Sequence, residues 1–209
     1  MSTCTGCVLA GGSGSRLGGV PKGLLEVGGR RILDRVLDAI SGACDALLLV
    51  SNDPAAAEWA PAIPVVADVR SERGALVGIH AALAHAGGAV IVAAWDMPFL
   101  RVDLLLTLRA LGERCRCAAI PESLDGRQAL CAYYPPEART TAELLLARGE
   151  RRVGAFVDAL SEVAALSAAE VARFGDPKRI FFNVNTPHDL ATARRLAGSG
   201  EAGTGSSAD

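Results

Sequence analysis

Five short, predominantly apolar runs, separated by helix-periodic segments, limit what this chain can fold into. The runs cover residues 5–10, 46–50, 63–67, 89–95 and 116–120. Between them apolar residues recur at helical spacing: Ile32, Val36, Leu37 and Ile40, then Leu76, Ile79 and Leu83, then Leu104, Leu105, Leu108 and Leu111. A strand that is apolar on both faces must be covered on both faces, which predicts parallel strands under helices rather than half-exposed hairpins. The expected fold class is α/β, a single-domain, Rossmann-like three-layer sandwich with a mostly parallel sheet. The fourth run is the most apolar and is expected at the centre.

The second half is less regular. A strand is predicted over residues 129–134, helices over 137–147 and 153–160, and a short final strand over 180–184. A last helix is predicted from Pro187 to about Leu196, with Thr186 as N-cap, Pro187 at the first position and Asp189 in the first turn. The domain is therefore placed at residues 1–197. Residues 198–209 are Gly, Ser, Ala and acid apart from Thr204, and read as a disordered tail.

Composition excludes some classes of function. Of 209 residues half are apolar, and the formal net charge is −2, so no basic field invites nucleic acid or an anionic membrane. No apolar run reaches membrane-spanning length and the N-terminus lacks a leader pattern, so a cytoplasmic location is expected. Six cysteines include Cys4 and Cys7 at C-x-x-C spacing and the neighbouring Cys115 and Cys117. Strand geometry sends Cys4 and Cys7 to opposite faces, and in a reducing compartment buried free thiols are expected rather than zinc or disulfides. The three histidines, His80, His85 and His188, form no catalytic or metal pattern and are expected to be structural or solvated.

Chemistry concentrates after the first run, in CVLAGGSGSRLGGVPKG. The chain has only two lysines, and Lys22 closes this glycine loop together with Arg16. Glycines let backbone N–H groups approach an anion, and the cations neutralise it. The loop is neither a Walker A loop, because Lys22 follows Pro21 and precedes Gly23, nor a G-x-G-x-x-G fingerprint, because Leu17 takes the third glycine's place.

Open parallel sheets bind ligands beyond the carboxyl ends of their strands. Successive runs deliver Gly11-Gly12, then Ser51-Asn52-Asp53, then Asp68, then Trp95-Asp96-Met97-Pro98 to that rim. Asn52-Asp53-Pro54 is also a turn sequence and Asp68 a possible loop cap. A carboxylate at the end of a buried strand, such as Asp96, must be paired, hydrogen-bonded or metal-bound. Facing a triphosphate, it would act through Mg²⁺, which takes one or two carboxylates plus phosphate oxygens and waters. Asn183 and Asn185 either form a turn or face a polar ligand.

The loop LAGGSGSRLGGVPKGLLEVGG resembles the nucleotide signature of the molybdenum cofactor guanylyltransferases, within the nucleotide-diphospho-sugar transferase type of fold. The resemblance continues in order through VSND, VVAD, GALVGIHAAL, WDMPFL, GRQALCAYY, ARGERRV and FFNVNTPHDLA, up to about Leu196. It implies transfer of GMP from GTP to molybdopterin, with or without molybdenum, giving the guanine dinucleotide and pyrophosphate. Leu9, Ala10, Gly11 and Gly12 would hold the nucleotide, and Arg16 and Lys22 its phosphates. Asn52 and Asp68 would recognise guanosine, Asp96 would hold Mg²⁺, and Asn183 and Asn185 would meet the pterin. Other molybdenum cofactor biosynthesis proteins and apo-molybdoenzymes are implied as partners.

Three departures touch substrate preference rather than reaction type: Pro21 where aspartate is common, Ala75 for a usual proline, and Ala94-Trp95 where Pro-Cys often precedes the aspartate. Ala10-Gly11-Gly12 favours the guanylyl over the cytidylyl branch. A cytidylyltransferase, a sugar-phosphate nucleotidyltransferase and a non-catalytic nucleotide-binding adaptor are the alternatives.

Overall fold

Each apolar run of the first half becomes a strand of one sheet. The structure is a computed structural model and describes residues 3–11, 16–69 and 74–201, with residue 16 and residues 199–201 described by backbone alone. The strands are β1 (Cys4–Leu9), β2 (Ala46–Val50), β3 (Val65–Val66), β4 (Ala89–Ala94), β5 (Ala118–Ser123), β6 (Gly126–Arg127), β7 (Cys131–Tyr134) and β8 (Val163–Leu166). Across the sheet they run β6-β5-β7-β4-β1-β2-β3, with β8 beside β5. Strands β4, β1, β2 and β3 are mutually parallel, as are β5 and β8, whereas β7 is antiparallel to both its neighbours and β6 to β5. All six residues of β4 are buried, in keeping with its central place.

The main helices are α1 (Ile32–Ser41), α2 (Ala56–Trp59), α3 (Ala75–Ala86), α4 (Val102–Cys115), α5 (Ala138–Ala147), α6 (Val153–Ala159) and α7 (Pro187–Glu201). Successive strand residues point to opposite faces, and this divides the core in two. Leu49, Ile91 and Tyr133 face a core shared with α1 and α4. Leu48, Val90, Val92 and Tyr134 face a second core under α3, α5 and α6. The sheet is thus the middle of three layers. Within α4, Leu104, Leu105 and Leu108 are completely buried, and each such side chain contributes roughly 1.5–3 kcal/mol.

The structure departs from the sequence reading in several places. Residues 180–184 are not a strand: Asp176 caps a one-turn helix, Pro177–Ile180, by accepting from Lys178 N at 3.0 Å, and Pro177 takes the first helical position. Helix α7 runs on through Gly198 to Glu201, because each glycine costs a helix only about 1 kcal/mol relative to alanine. Of the expected tail, residues 202–209 lie outside the described residues. Cys115 and Cys117 form a disulfide instead of remaining free. Arg116, capping α4 at φ 56° in the left-handed region, turns the chain so that the two Cα atoms lie 5.3 Å apart. Cys4, Cys7 and Cys131 are free and buried, and Cys44 is free and half-buried.

Two hairpins lie between β1 and α1, pairing Arg16–Leu17 with Val20–Pro21 and Glu26–Val27 with Arg30–Arg31. Gly18 and Gly19 have φ of 60° and 86°, and Gly28 and Gly29 57° and 68°. Paired positive φ is what a two-residue hairpin turn demands.

Candidate active site

The ends of three strands are flush, and that is what assembles the site. Leu9 stands level with Val50 on one side and Ala94 on the other. Ala10 N donates to Val50 O at 2.9 Å, and Trp95 N donates to Leu9 O at 3.3 Å. Buried Ser51 closes the row: its hydroxyl donates to Ala10 O at 2.9 Å and accepts from Asp53 N at 3.2 Å. This brace carries no chemical signature in sequence and is recognisable only from register. Gly11, Asn52 and Asp96 leave the sheet along this edge. The roles expected of Gly12 and of the Arg16 side chain fall outside the described residues.

Lys22 opens a short 3-10 turn, Lys22–Leu24, and is 7% exposed. Its ammonium donates to Asn185 Oδ1 at 2.5 Å. Asn185 is itself fixed, because its backbone N–H donates to Asp189 Oδ2 at 3.0 Å. Thr186 N donates to the same oxygen at 2.8 Å, and Thr186 Oγ1 accepts from Asp189 N at 3.1 Å. The N-cap of α7 therefore holds the lysine's partner in place. One residue earlier, Val184 N donates to Asp96 O at 3.0 Å. The 184–185 segment thus binds to Lys22 and Asp96 at once, and the glycine loop and the end of β4 meet.

Asp96 Oδ1 is buried and has no hydrogen-bond partner among the described residues. Burial pushes its carboxyl above the ordinary value of 3.8, and the nearby Lys22 ammonium pulls the other way. Because the folded chain then holds the proton more tightly than the unfolded chain, stability is greatest below the ordinary value. It falls as pH rises from there through the raised folded value. Asp96→Asn is therefore expected to melt higher than the parent protein at pH 7 without added metal, and to show a flatter pH dependence. Thermal unfolding at pH 4 and pH 7 checks this, and a lower melting temperature for the variant at pH 7 would contradict it.

On the β2–β3 side, Asn52 and Asp68 pair with each other. Asn52 Nδ2 donates to Asp68 Oδ2 at 2.5 Å, and Asp68 N donates to Asn52 Oδ1 at 2.8 Å. Burial raises the Asp68 carboxyl, with the Asn52 amide opposing. On the other side lies a cleft of about 300 Å³ lined by Met97, Arg127, Gln128, Leu130, Val157 and Asn183 among others. Asn183 Nδ2 donates to Phe181 O at 3.0 Å. The two asparagines expected to share one ligand therefore differ in surroundings: Asn185 holds Lys22, and Asn183 lines the cleft. The cleft's Arg127 and Gln128 drew no attention as single residues in sequence, because they precede the strand expected over 129–134 and the short strand β6 that ends at Arg127 was not expected.

Cleft, cation, carboxylate and amide pair thus lie along one edge of the sheet, with no histidine in the bonds that tie them together. Among the described residues no three His, Cys, Asp or Glu side chains converge to hold a metal by themselves, and no described helix is long and apolar enough to cross a membrane.

Residues 6–164 match the family model of the MobA-like NTP transferase domain. The chain is 33% identical over 202 residues to the molybdenum cofactor guanylyltransferase of Desulfosudis oleivorans, covering 96% of this chain and 98% of that one. It is 36% identical over 199 residues to the enzyme of that name from Rhodopseudomonas palustris, covering 91% and 90%. The crystal structure of molybdopterin-guanine dinucleotide biosynthesis protein A from Archaeoglobus fulgidus superimposes with a TM-score of 0.80 at 31% identity, over 93% of this chain and 99% of that one.

Proposed function

Because the chain belongs to the MobA-like NTP transferase family, we propose that it is a molybdenum cofactor guanylyltransferase, moving GMP from GTP to molybdopterin and releasing pyrophosphate. A phosphate oxygen of the acceptor forms a bond to the α-phosphorus of GTP, and the bond from that phosphorus to the bridging oxygen of the β-phosphate breaks. The acceptor phosphate is already an anion, so the step needs no strong general base, and none of the three histidines is assigned a part in it.

Catalysis then consists of aligning two polyanions and offsetting charge in the transition state. Lys22 supplies a buried, pre-oriented cation for the triphosphate, with Arg16 and the amides of Gly11 and Gly12 expected beside it. Leu9 and Ala10 set the level at which that loop leaves the sheet. Asn52 and Asp68 present an amide and a carboxylate for guanosine. Asn183 and its cleft receive the pterin, and Asn185 keeps the lysine between the two substrates.

Asp96 fits a divalent cation, taken to be Mg²⁺: its buried Oδ1 lacks a partner among the described residues, and a single carboxylate suits a metal whose other ligands are phosphate oxygens and water. When bound, the cation neutralises charge on the phosphates. The observation that carries the proposal is the meeting of Lys22 and Asp96 over the 184–185 segment. The test is pyrophosphate release in the presence of molybdopterin and Mg²⁺, with GTP, CTP and no acceptor as arms. Release with GTP and acceptor is expected. Preferential release with CTP would move the protein to the cytidylyl branch, and tight GTP binding with no release would make it an adaptor.

A further inference from the structure

The two tryptophans of the chain, Trp59 and Trp95, stack on each other beside the Lys22 turn. Their ring centroids are 5.2 Å apart with planes inclined by 23°, and both rings are buried. Trp59 ends α2, which follows the Asn52 turn, and Trp95 immediately precedes Asp96. The Trp95 ring also lies against the backbone of Gly23: a β-carbon built there would stand 2.4 Å from Cε3. Only glycine fits next to Lys22 while that ring is in place. One aromatic pair therefore links the three segments that carry Lys22, Asn52 and Asp96.

A lysine has a long flexible stem, so the position of its ammonium depends on how firmly its backbone is held. We infer that Trp95, backed by Trp59, is a positioning residue that clamps the Lys22–Leu24 turn through Gly23 and so holds the Lys22 ammonium against Asn185 and beside Asp96. That this placement serves phosphate transfer rests on the function proposed above, whereas the placement itself does not.

Native-state acetylation read by mass spectrometry tests the clamp, because the only other lysine, Lys178, is exposed and serves as an internal standard. In the parent protein Lys22 should react slowly relative to Lys178. Trp95→Leu is expected to raise the Lys22/Lys178 ratio roughly tenfold at temperatures well below its melting point, by loosening the turn. Gly23→Ala is expected to do the same by pushing the turn off the ring, and Trp95→Phe, which keeps a flat ring, to restore most of the protection. Leu146→Ala, buried in α5 in the other core, is expected to lower the melting temperature and leave the ratio within about twofold. An unchanged ratio in both Trp95→Leu and Gly23→Ala, or an equal rise in Leu146→Ala, overturns the inference. Should Trp95→Leu fail to fold, Gly23→Ala decides alone. A parent protein that releases no pyrophosphate would count against the proposed function only, since the acetylation ratio is read without substrate.

Discussion

Lys22→Ala is expected to lower kcat/KM for nucleotidyl transfer by a factor on the order of 10²–10³, the usual cost of removing one pre-oriented charge-stabilising group. The lysine is buried, so its charge acts with little screening by water. It is also held in advance by Asn185 at 2.5 Å, so it need not be ordered when the substrate arrives. Lys22→Arg is not expected to restore the rate, because a planar guanidinium cannot take the place of a compact ammonium between Asn185 and the end of β4. Pyrophosphate release with GTP and molybdopterin measures the loss, and circular dichroism checks that the fold survives. Turnover within a few-fold of the parent would show that the loop cation has been misassigned.

Asp96→Asn is expected to lose activity by a comparable factor, on the order of 10²–10³, for a different reason. The amide keeps the size of the side chain but removes the charge that the proposed function assigns to holding a divalent cation. Raising the Mg²⁺ concentration should therefore recover part of the Asp96→Asn loss and none of the Lys22→Ala loss. Titrating the metal in both variants separates the two roles. Full activity of Asp96→Asn at the parent's metal requirement would remove this residue from the proposal.

The first half of the fold was legible because its strands are buried on both faces. Residues 46–50 are nothing but apolar and became β2 without change of boundary. In contrast, residues 163–166 carry two alanines and little strand preference, and β8 exists because β5 offers an edge to pair with. The stretch at 180–184 misled for the opposite reason: its apolar content is strand-like, but Asp176 and Pro177 start a helical turn first. The two hairpins were not among the expected elements, although LGGV and VGGR carry the paired glycines of two-residue turns.

For the site, strand order alone placed Gly11, Asn52, Asp68 and Asp96 on one rim, since every parallel strand ends on the same side. It could not show that Asn185 reaches 163 residues back along the chain to Lys22, nor that Trp95 needs a glycine opposite it. Those contacts join segments far apart in sequence, and no local pattern encodes them.

The reversed direction of β7 has a consequence of its own. Its first residue, Cys131, sits opposite Ala93, and Leu130 O accepts from Ala94 N at 2.9 Å. Next to β4, what reaches the upper lip of the sheet on this side is thus an incoming peptide, Arg127 to Leu130, whereas on the other side it is the outgoing continuations of β1 and β2. One reaction partner would be greeted by chain departing from the sheet and the other by chain entering it. On the proposed function, lengthening or recoding the entering segment is expected to alter which acceptor is taken while the groups assigned to the nucleotide stay untouched.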